Sequence, residues 1–153
     1  MRWDDKIFDE ITWPREPKGF GSALLSAAKA LQELGDRLVE VMCGSARVSE
    51  SMLDAWCYKR VQGAGDLLYP EHIDPGLFTF GPLPRGEGLQ IKQPCKDSPQ
   101  VSHWVALSNI SKGCELLIFA NASLQQHVPN AMPLVHRVVD QGEPRLTMLY
   151  NVG

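Results

Sequence analysis

A histidine and an aspartate, His72 and Asp74, stand two residues apart at the start of the stretch HIDPGLFTF. Alternate residues of a β-strand point to the same face, so a strand here would aim an imidazole and a carboxylate into one space. Such a pair requires either a hydrogen-bonding partner or a cation. The apolar residues that follow, Leu77, Phe78 and Phe80, predict that the strand is anchored in the protein interior.

A second histidine, His136, lies far down the chain, in the middle of the apolar stretch PLVHRVV. A lone histidine on an apolar strand is usually a hydrogen-bonded core residue. Two histidines and one carboxylate, however, form the facial triad that binds non-heme Fe(II) and leaves coordination positions open. Zinc can use the same ligands with a bound water, so the ligand set by itself does not determine the metal.

An arginine and a threonine follow on the next predicted strand, RLTMLY. Arg145 and Thr147 are two residues apart and therefore share a face of that strand. A guanidinium and a hydroxyl together are well suited to bind one carboxylate. The alternative is a surface ion pair of Arg145 with Asp140 or Glu143.

The remaining pattern predicts one helix followed by short strands. Residues 22–43 predict an amphipathic helix, with Ser22 as its N-cap and Gly44 just past its end. Its apolar residues recur at three- and four-residue steps, and they are Leu24, Ala28, Leu31, Leu34, Leu38 and Val41. From about Leu53 onward, apolar stretches alternate with Pro- and Gly-rich breaks, which predicts seven or eight strands of a sandwich, barrel or jelly roll. The predicted strands are LDAWCYKRV, HIDPGLFTF, GLQIK, VSHWVAL, CELLIFA, LVHRVV and RLTMLYNV.

The composition is typical of one globular domain and disfavours several classes of protein. The 153 residues are 44% hydrophobic and 22% charged. A net charge of -3 provides no electrostatic basis for binding nucleic acid as a bulk polyanion. No apolar run approaches the roughly 18 residues of a membrane span, and the charged N-terminus MRWDDKIFDE has no apolar signal-peptide core. The four cysteines are scattered, which favours reduced thiols and a cytoplasmic location.

These motifs, in this order, resemble the Fe(II)/2-oxoglutarate-dependent dioxygenases, in particular the branch of isopenicillin N synthase and the plant flavonoid and hormone oxygenases. The family's metal strand has the pattern H-x-D-x-G-x-L-T-L, which HIDPGLFTF follows with Gly76 and Thr79 in register. The later motifs G-L-Q-V, H-R-V and R-x-S are similar to GLQI at 88–91, HRV at 136–138 and RLT at 145–147. The resemblance covers roughly residues 53–152.

The resemblance implies the fold and the metal. It implies a mainly β protein, a double-stranded β-helix or cupin-like jelly roll, over residues 53–153. Residues 1–52 then form a lead-in and a helix that packs on this core. It also implies that His72, Asp74 and His136 bind iron as the catalytic centre.

The resemblance also implies a cosubstrate and a reaction. The far carboxylate of 2-oxoglutarate binds Arg145 and Thr147, and Tyr58 is a further contact, although Trp56 stands where relatives carry an asparagine. With O2, such an enzyme couples oxidative decarboxylation of 2-oxoglutarate to hydroxylation or oxidation of a C–H bond, here in a small organic substrate.

Other functions stay open at this point. The chain could instead be an oxygenase that acts on a protein or nucleic acid, or a cupin-like binding protein without turnover. An oxidase that uses no 2-oxoglutarate is a variant of the first hypothesis. The stretch FANASLQQ lacks the aspartate of the family's N-I-G-D loop, and the chain is shorter than relatives at both ends. We therefore expect a compact member of the family, a fragment, or a chain whose pocket is completed by a partner or a further domain.

Overall fold

The structure, a computed structural model, describes residues 17–44, 51–58, 67–83, 88–95, 97–109, 116–142 and 145–153. Within these ranges, one helix, α1 (Phe20–Cys43), precedes eight strands. The strands are β1 (Ser51–Tyr58), β2 (Leu67–His72), β3 (Phe78–Pro82), β4 (Leu89–Cys95), β5 (Ser98–Ala106), β6 (Leu116–Ala120), β7 (His136–Val139) and β8 (Arg145–Val152). Short 3-10 turns, Leu107–Asn109 and Ala122–Gln126, follow β5 and β6.

The strands form two four-stranded antiparallel sheets. The strand order is β1-β8-β3-β6 in the first sheet and β2-β7-β4-β5 in the second. Eight strands divided in this way between two sheets form a double-sheet jelly roll. The prediction of a mainly β jelly roll with an N-terminal packing helix is therefore confirmed.

The ends of α1 are set by two glycines. Gly19 is the N-cap with a left-handed φ of 79°, so the prediction of Ser22 as N-cap is wrong. The Ser22 hydroxyl lies within the first turn and donates a hydrogen bond of 2.9 Å back to the Gly19 carbonyl. Gly44 ends the helix as predicted, with its N–H bonded to the Glu40 carbonyl at 3.1 Å. No helix in the described ranges has the length and apolar character needed to cross a membrane.

The buried face of α1 packs on the first sheet, in the same cluster as residues of β3 and β8. Gly35 and Val39 are buried in this face, whereas Leu34 and Val41 are 37% and 80% exposed. The predicted stripe is therefore wrong at Leu34 and Val41. A Cβ atom on Gly35 would lie 3.0 Å from Val152 Cγ2, so a small residue permits the close approach of helix and sheet. The predicted inward positions hold for Ala28, Leu31 and Leu38. The division of the chain between residues 52 and 53 stays a prediction.

The stretch HIDPGLFTF is not one strand, so that part of the prediction is wrong. The strand β2 ends at His72, β3 begins at Phe78, and the two strands belong to different sheets. Gly76 lies between them with a φ of 86°, and a Cβ atom there would be 2.6 Å from the backbone oxygen of Val152. The Leu77 N–H donates a hydrogen bond of 2.6 Å to the same oxygen. Residues 73–77, which we call the crossing segment, thus carry the chain from the second sheet to the first.

Candidate metal centre

Three side chains that can bind a metal converge where the crossing segment leaves β2. His72 is the last residue of β2 and His136 the first of β7, and the two are opposite each other in the antiparallel pair. Asp74 comes from the crossing segment, and its Oδ1 lies 3.2 Å from His72 Nε2 and 3.6 Å from His136 Nε2. The three ligand atoms lie within 4.8 Å of one another. The structure therefore brings together the three predicted ligands, although Asp74 is not on a strand.

Both imidazoles are oriented by a backbone carbonyl two residues earlier. His72 Nδ1 lies 2.9 Å from the Pro70 oxygen, and His136 Nδ1 lies 3.2 Å from the Leu134 oxygen. A proton on each Nδ1 satisfies these carbonyls and leaves the Nε2 lone pair facing Asp74, as in metal-binding histidines. Ligand atoms about 2.1 Å from a metal and at right angles to each other lie about 3 Å apart, close to the separations here. The donor set and its geometry therefore fit a divalent metal ion.

The protonation state of His136 also suits a ligand. Burial lowers the pKa of His136 from its ordinary value of 6.5. The charge of Asp74 and the hydrogen bond to Leu134 raise this pKa, and His72 lowers it, but burial is the largest effect. Because the net shift is downward, the neutral imidazole is favoured, and this is the form that binds metals.

A buried polar cluster holds the other oxygen of Asp74. The Thr79 hydroxyl lies 2.8 Å from Asp74 Oδ2 and 2.6 Å from Asn151 Oδ1. Since one hydroxyl carries one proton, Thr79 can donate to only one of these acceptors at a time. Asn121 Nδ2 donates to Thr79 Oγ1 and to the Pro75 carbonyl, both at 2.9 Å. With Oδ2 held in this way, Asp74 Oδ1 is left for the metal.

The turn after β6 holds the crossing segment through its backbone. The Ala122 N–H donates to the Asp74 carbonyl at 3.1 Å, and the Ser123 N–H donates to the Gly76 carbonyl at 2.9 Å. These residues belong to the stretch FANASLQQ, which lacks the aspartate of the family's N-I-G-D loop. Because backbone N–H groups form these hydrogen bonds, the turn can position Asp74 without the carboxylate of that aspartate.

Sequence reasoning missed the structural roles of Asn121 and Asn151. Each is a polar residue at the end of an otherwise apolar run, LLIFAN and MLYN. Asn121 is fully buried, and a fully buried amide requires hydrogen-bonding partners. A polar residue at the end of a buried strand was the available signal, but the identity of its partners depends on contacts between strands.

A cavity of about 210 Å³ opens beside the three ligands. Tyr58 and Thr147 line it together with His72, Asp74 and His136. In the pairing of β1 with β8, Tyr58 is opposite Arg145, and Trp56 is opposite Thr147. The side chain of Arg145 lies outside the described part of the structure. The assignment of Tyr58, Arg145 and Thr147 to a cosubstrate therefore stays a prediction.

Solved structures of oxygenases share this fold. A full-length protein from Neurospora crassa, in complex with α-ketoglutarate (2-oxoglutarate), matches with a TM-score of 0.63 at 20% identity over 92% of this chain and 52% of its own. The dioxygenase for auxin oxidation 1 from Arabidopsis thaliana, in its 2-oxoglutarate complex, gives 0.64 at 14% identity over 86% and 52%. JOX2, in complex with 2OG, Fe and JA, gives 0.62 at 19% identity over 92% and 45%. The chain has the fold of an Fe(II)/2-oxoglutarate oxygenase.

The shared fold is the one that the motif resemblance implied. The chain spans about half the length of these solved oxygenases. No protein-family model matches the chain, and no curated protein matches it. The likeness to these oxygenases therefore lies in the tertiary structure, and the geometry of His72, Asp74 and His136 is that of a metal site.

Proposed function

We propose that this chain is an Fe(II)- and 2-oxoglutarate-dependent oxygenase that oxidises a C–H bond of a small organic substrate. The observation that carries this proposal is the convergence of His72 Nε2, Asp74 Oδ1 and His136 Nε2. Two histidines and one carboxylate on one side of a metal suit non-heme Fe(II). The presence of 2-oxoglutarate and Fe in the JOX2 complex supports the choice of metal and cosubstrate.

Iron together with 2-oxoglutarate and O2 supplies the oxidising chemistry, which releases succinate and CO2. The protein contributes a fixed arrangement of ligands. His72 and His136 provide neutral nitrogen donors, and the buried Asp74 provides a charge that offsets part of a dication's charge. The three ligands line the same cavity as Tyr58 and Thr147, so a metal held by them would be accessible to a cosubstrate in that cavity.

We place the far carboxylate of 2-oxoglutarate at Arg145 and Thr147, with Tyr58 beside it. Thr147 is buried, and both Thr147 and Tyr58 line the cavity that contains the metal ligands. Arg145 is opposite Tyr58 in the pairing of β8 with β1 and lies two residues from Thr147. A guanidinium with a hydroxyl matches the geometry of a carboxylate. These positions support the assignment.

The size of the cavity supports a small-molecule substrate. A cavity of about 210 Å³ is smaller than the roughly 300–1,000 Å³ of typical ligand pockets, so little space is left beside a cosubstrate. The Neurospora crassa protein has been crystallised with thymine and with 5-formyluracil, both of which are small molecules. We infer a substrate of similar dimensions for this chain.

The proposal is tested by anaerobic titration with Fe(II) and then 2-oxoglutarate, followed through the visible charge-transfer band of the chelate. We expect the band to form, and admission of O2 to yield succinate. His136→Ala should abolish iron binding and the band. His103→Ala, at an exposed histidine on β5, is the matched control and should retain both. Iron binding without a band in the unmodified chain, or a band that persists in His136→Ala, would contradict the proposal.

The cosubstrate site is tested by Arg145→Ala. A hydrogen bond to a charged group contributes roughly 1.5–3 kcal/mol, so we expect the half-saturating concentration of 2-oxoglutarate to rise about tenfold to a hundredfold. Arg137→Ala is the control, because the Arg137 guanidinium packs over the Trp104 ring at 4.2 Å and does not line the cavity. An unchanged requirement for 2-oxoglutarate in Arg145→Ala would show that the assignment of Arg145 is wrong.

A further inference from the structure

One carboxylate in the cavity wall has no role in the chemistry described above. Asp54 lies on β1 and lines the cavity beside Trp56. Its partner is Asn151, whose Nδ2 donates a hydrogen bond of 3.4 Å, at the long end of the usual range. Among the side chains that the structure describes, which do not include that of Arg145, no lysine or arginine forms an ion pair with Asp54 or lines the cavity. The negative charge of Asp54 is therefore uncompensated by this part of the chain.

The charge of Asp54 remains when the proposed complex is assembled. The dication Fe(II) and the guanidinium of Arg145 balance the carboxylate of Asp74 and the two carboxylates of 2-oxoglutarate. Among the described residues that line the cavity, Asp54 then carries a charge that is not balanced. A half-buried carboxylate without a counter-charge favours a ligand that brings a positive charge.

Two aromatic side chains that are open to solvent line the same cavity as Asp54. Trp56 and Tyr69 line the cavity and are 44% and 38% exposed. Their ring centroids lie 6.2 Å apart in an edge-on arrangement, which leaves ring surface accessible to a ligand. Aromatic faces attract cations, tryptophan most strongly. A carboxylate that shares a cavity with two accessible aromatic rings is a combination that suits an organic ammonium group.

Tyr69 and Asp54 are each connected to the metal ligands. The Tyr69 ring packs on the imidazole of His72, with centroids 4.6 Å apart. On the other side, Asn151 bonds to Asp54, and the Thr79 hydroxyl lies within hydrogen-bonding distance of both Asn151 Oδ1 and Asp74 Oδ2. A ligand whose ammonium group sits at Asp54 thus has the rest of its carbon skeleton beside the metal centre.

We propose that Asp54, with Trp56 and Tyr69, binds the positively charged amine of the substrate. The assignment of this amine subsite rests on the proposed function, because it treats the cavity as the place where a C–H bond meets the iron. It restricts the substrate class from small organic molecules to small amines that are protonated near neutral pH.

The subsite is tested with three probes of nearly equal shape but different charge: benzylamine, benzyl alcohol and benzoate. Their affinities are measured by calorimetry on the full chain, loaded anaerobically with Fe(II) and 2-oxoglutarate and again without either. We expect benzylamine to bind about tenfold tighter than benzyl alcohol, and benzoate to bind most weakly. Equal affinity for the three probes overturns the subsite.

Variants assign the preference to Asp54. Asp54→Asn keeps the shape of the side chain and removes its charge, so we expect it to lose about tenfold in affinity for benzylamine only. Asp54→Arg should reverse the preference and favour benzoate. Asp97→Asn, at an exposed position in the turn between β4 and β5, is the matched control and should behave as the unmodified chain. Retention of the amine preference in Asp54→Asn overturns the assignment.

The same samples separate this inference from the proposed function. The visible band of the iron and 2-oxoglutarate complex is recorded before each calorimetric titration. A band without any amine preference refutes the subsite and leaves the proposed oxygenase intact. An amine preference that persists in a chain that forms no band refutes the proposed oxygenase, while Asp54 keeps its role in binding amines.

Discussion

Gly76 is the position where one methyl group should damage both the fold and the metal centre. It lies in the crossing segment with a φ of 86°, between Asp74 and the start of β3. A Cβ atom there would lie 2.6 Å from the Val152 oxygen, and real Cβ atoms essentially never come within 3.0 Å of such an atom. Because the obstacle is backbone, Gly76→Ala must displace the crossing segment or the end of β8.

The size of the effect follows from comparison with Gly142, which has nearly the same φ, 85°, and nothing within 4 Å of an added Cβ. The left-handed backbone costs an alanine roughly 1–2 kcal/mol at either position. At Gly76 the clash adds about 1–3 kcal/mol, and weakening of the hydrogen bond from Leu77 to Val152 adds about 1 kcal/mol. We therefore expect Gly76→Ala to lower the free energy of unfolding by about 3–6 kcal/mol, and Gly142→Ala by about 1–2 kcal/mol.

Thermal and denaturant unfolding measure this difference. For a chain of this size, 1 kcal/mol corresponds to about 2–4 °C in Tm, so Gly76→Ala should lose about 6–24 °C and Gly142→Ala about 2–8 °C, with the larger loss in Gly76→Ala. Displacement of Asp74 should also weaken Fe(II) binding about tenfold or more in Gly76→Ala only. Equal losses of Tm in the two variants would refute the argument from the Val152 oxygen, and unchanged iron affinity would show that the crossing segment does not position Asp74.

Two further predictions concern the groups around the metal ligands. Thr79→Val removes the hydroxyl that bonds to Asp74 Oδ2. We expect the free energy of unfolding to fall by about 1–3 kcal/mol, measured by denaturation, and the Fe(II) affinity to fall tenfold or more, measured by metal titration. The control Thr147→Val, in the cavity wall, should keep the iron affinity, and an unaltered affinity in Thr79→Val would contradict the role of the hydroxyl. Burial lowers the pKa of His136 below 6.5. In metal-free protein, the unfolded chain therefore binds a proton at a pH where the folded chain does not. The free energy of unfolding should fall as the pH drops below about 6.5, by at most about 1.4 kcal/mol per pH unit. His136→Gln should reduce this slope, measured by denaturation at successive pH values, whereas a slope equal to that of the exposed-site control His103→Gln would disprove the contribution of His136.

The elements with a strong local period were predictable from the sequence. The helix follows from apolar residues at helical spacing, and its end at Gly44 follows from a glycine after the last apolar turn. Its exact inward face was predicted less well, since Leu34 and Val41 are exposed. A period shows which residues share one side of a helix, but the breadth of the stripe that is buried depends on the surface against which the helix packs.

The crossing segment shows a different limit of local reasoning. HIDPGLFTF has the alternation of one strand, yet the chain turns at Gly76 and changes sheets. The dipeptide Pro75-Gly76 signals a turn, but the local pattern does not show whether the residues after it return to the same sheet or begin a strand in the opposite sheet. The proximity of His72 and Asp74 was predicted correctly from strand alternation, but in the structure it results from the turn after β2.

The sequence by itself determined the chemical types of the site: two imidazoles and a carboxylate for a metal, in a motif order that resembles one family of oxygenases, within a chain of short strands behind one helix. Only the tertiary structure decided which of these groups meet. The register of β2 against β7 places His136 opposite His72. The buried Thr79 bonds to one oxygen of Asp74 and leaves the other oxygen free. The side of β1 that faces the cavity brings Asp54 into the same cavity as the metal ligands. The physical reason is that the spacing of apolar residues along the sequence shows which residues share a face of one helix or strand. The pairing of distant strands depends instead on the packing of the whole chain.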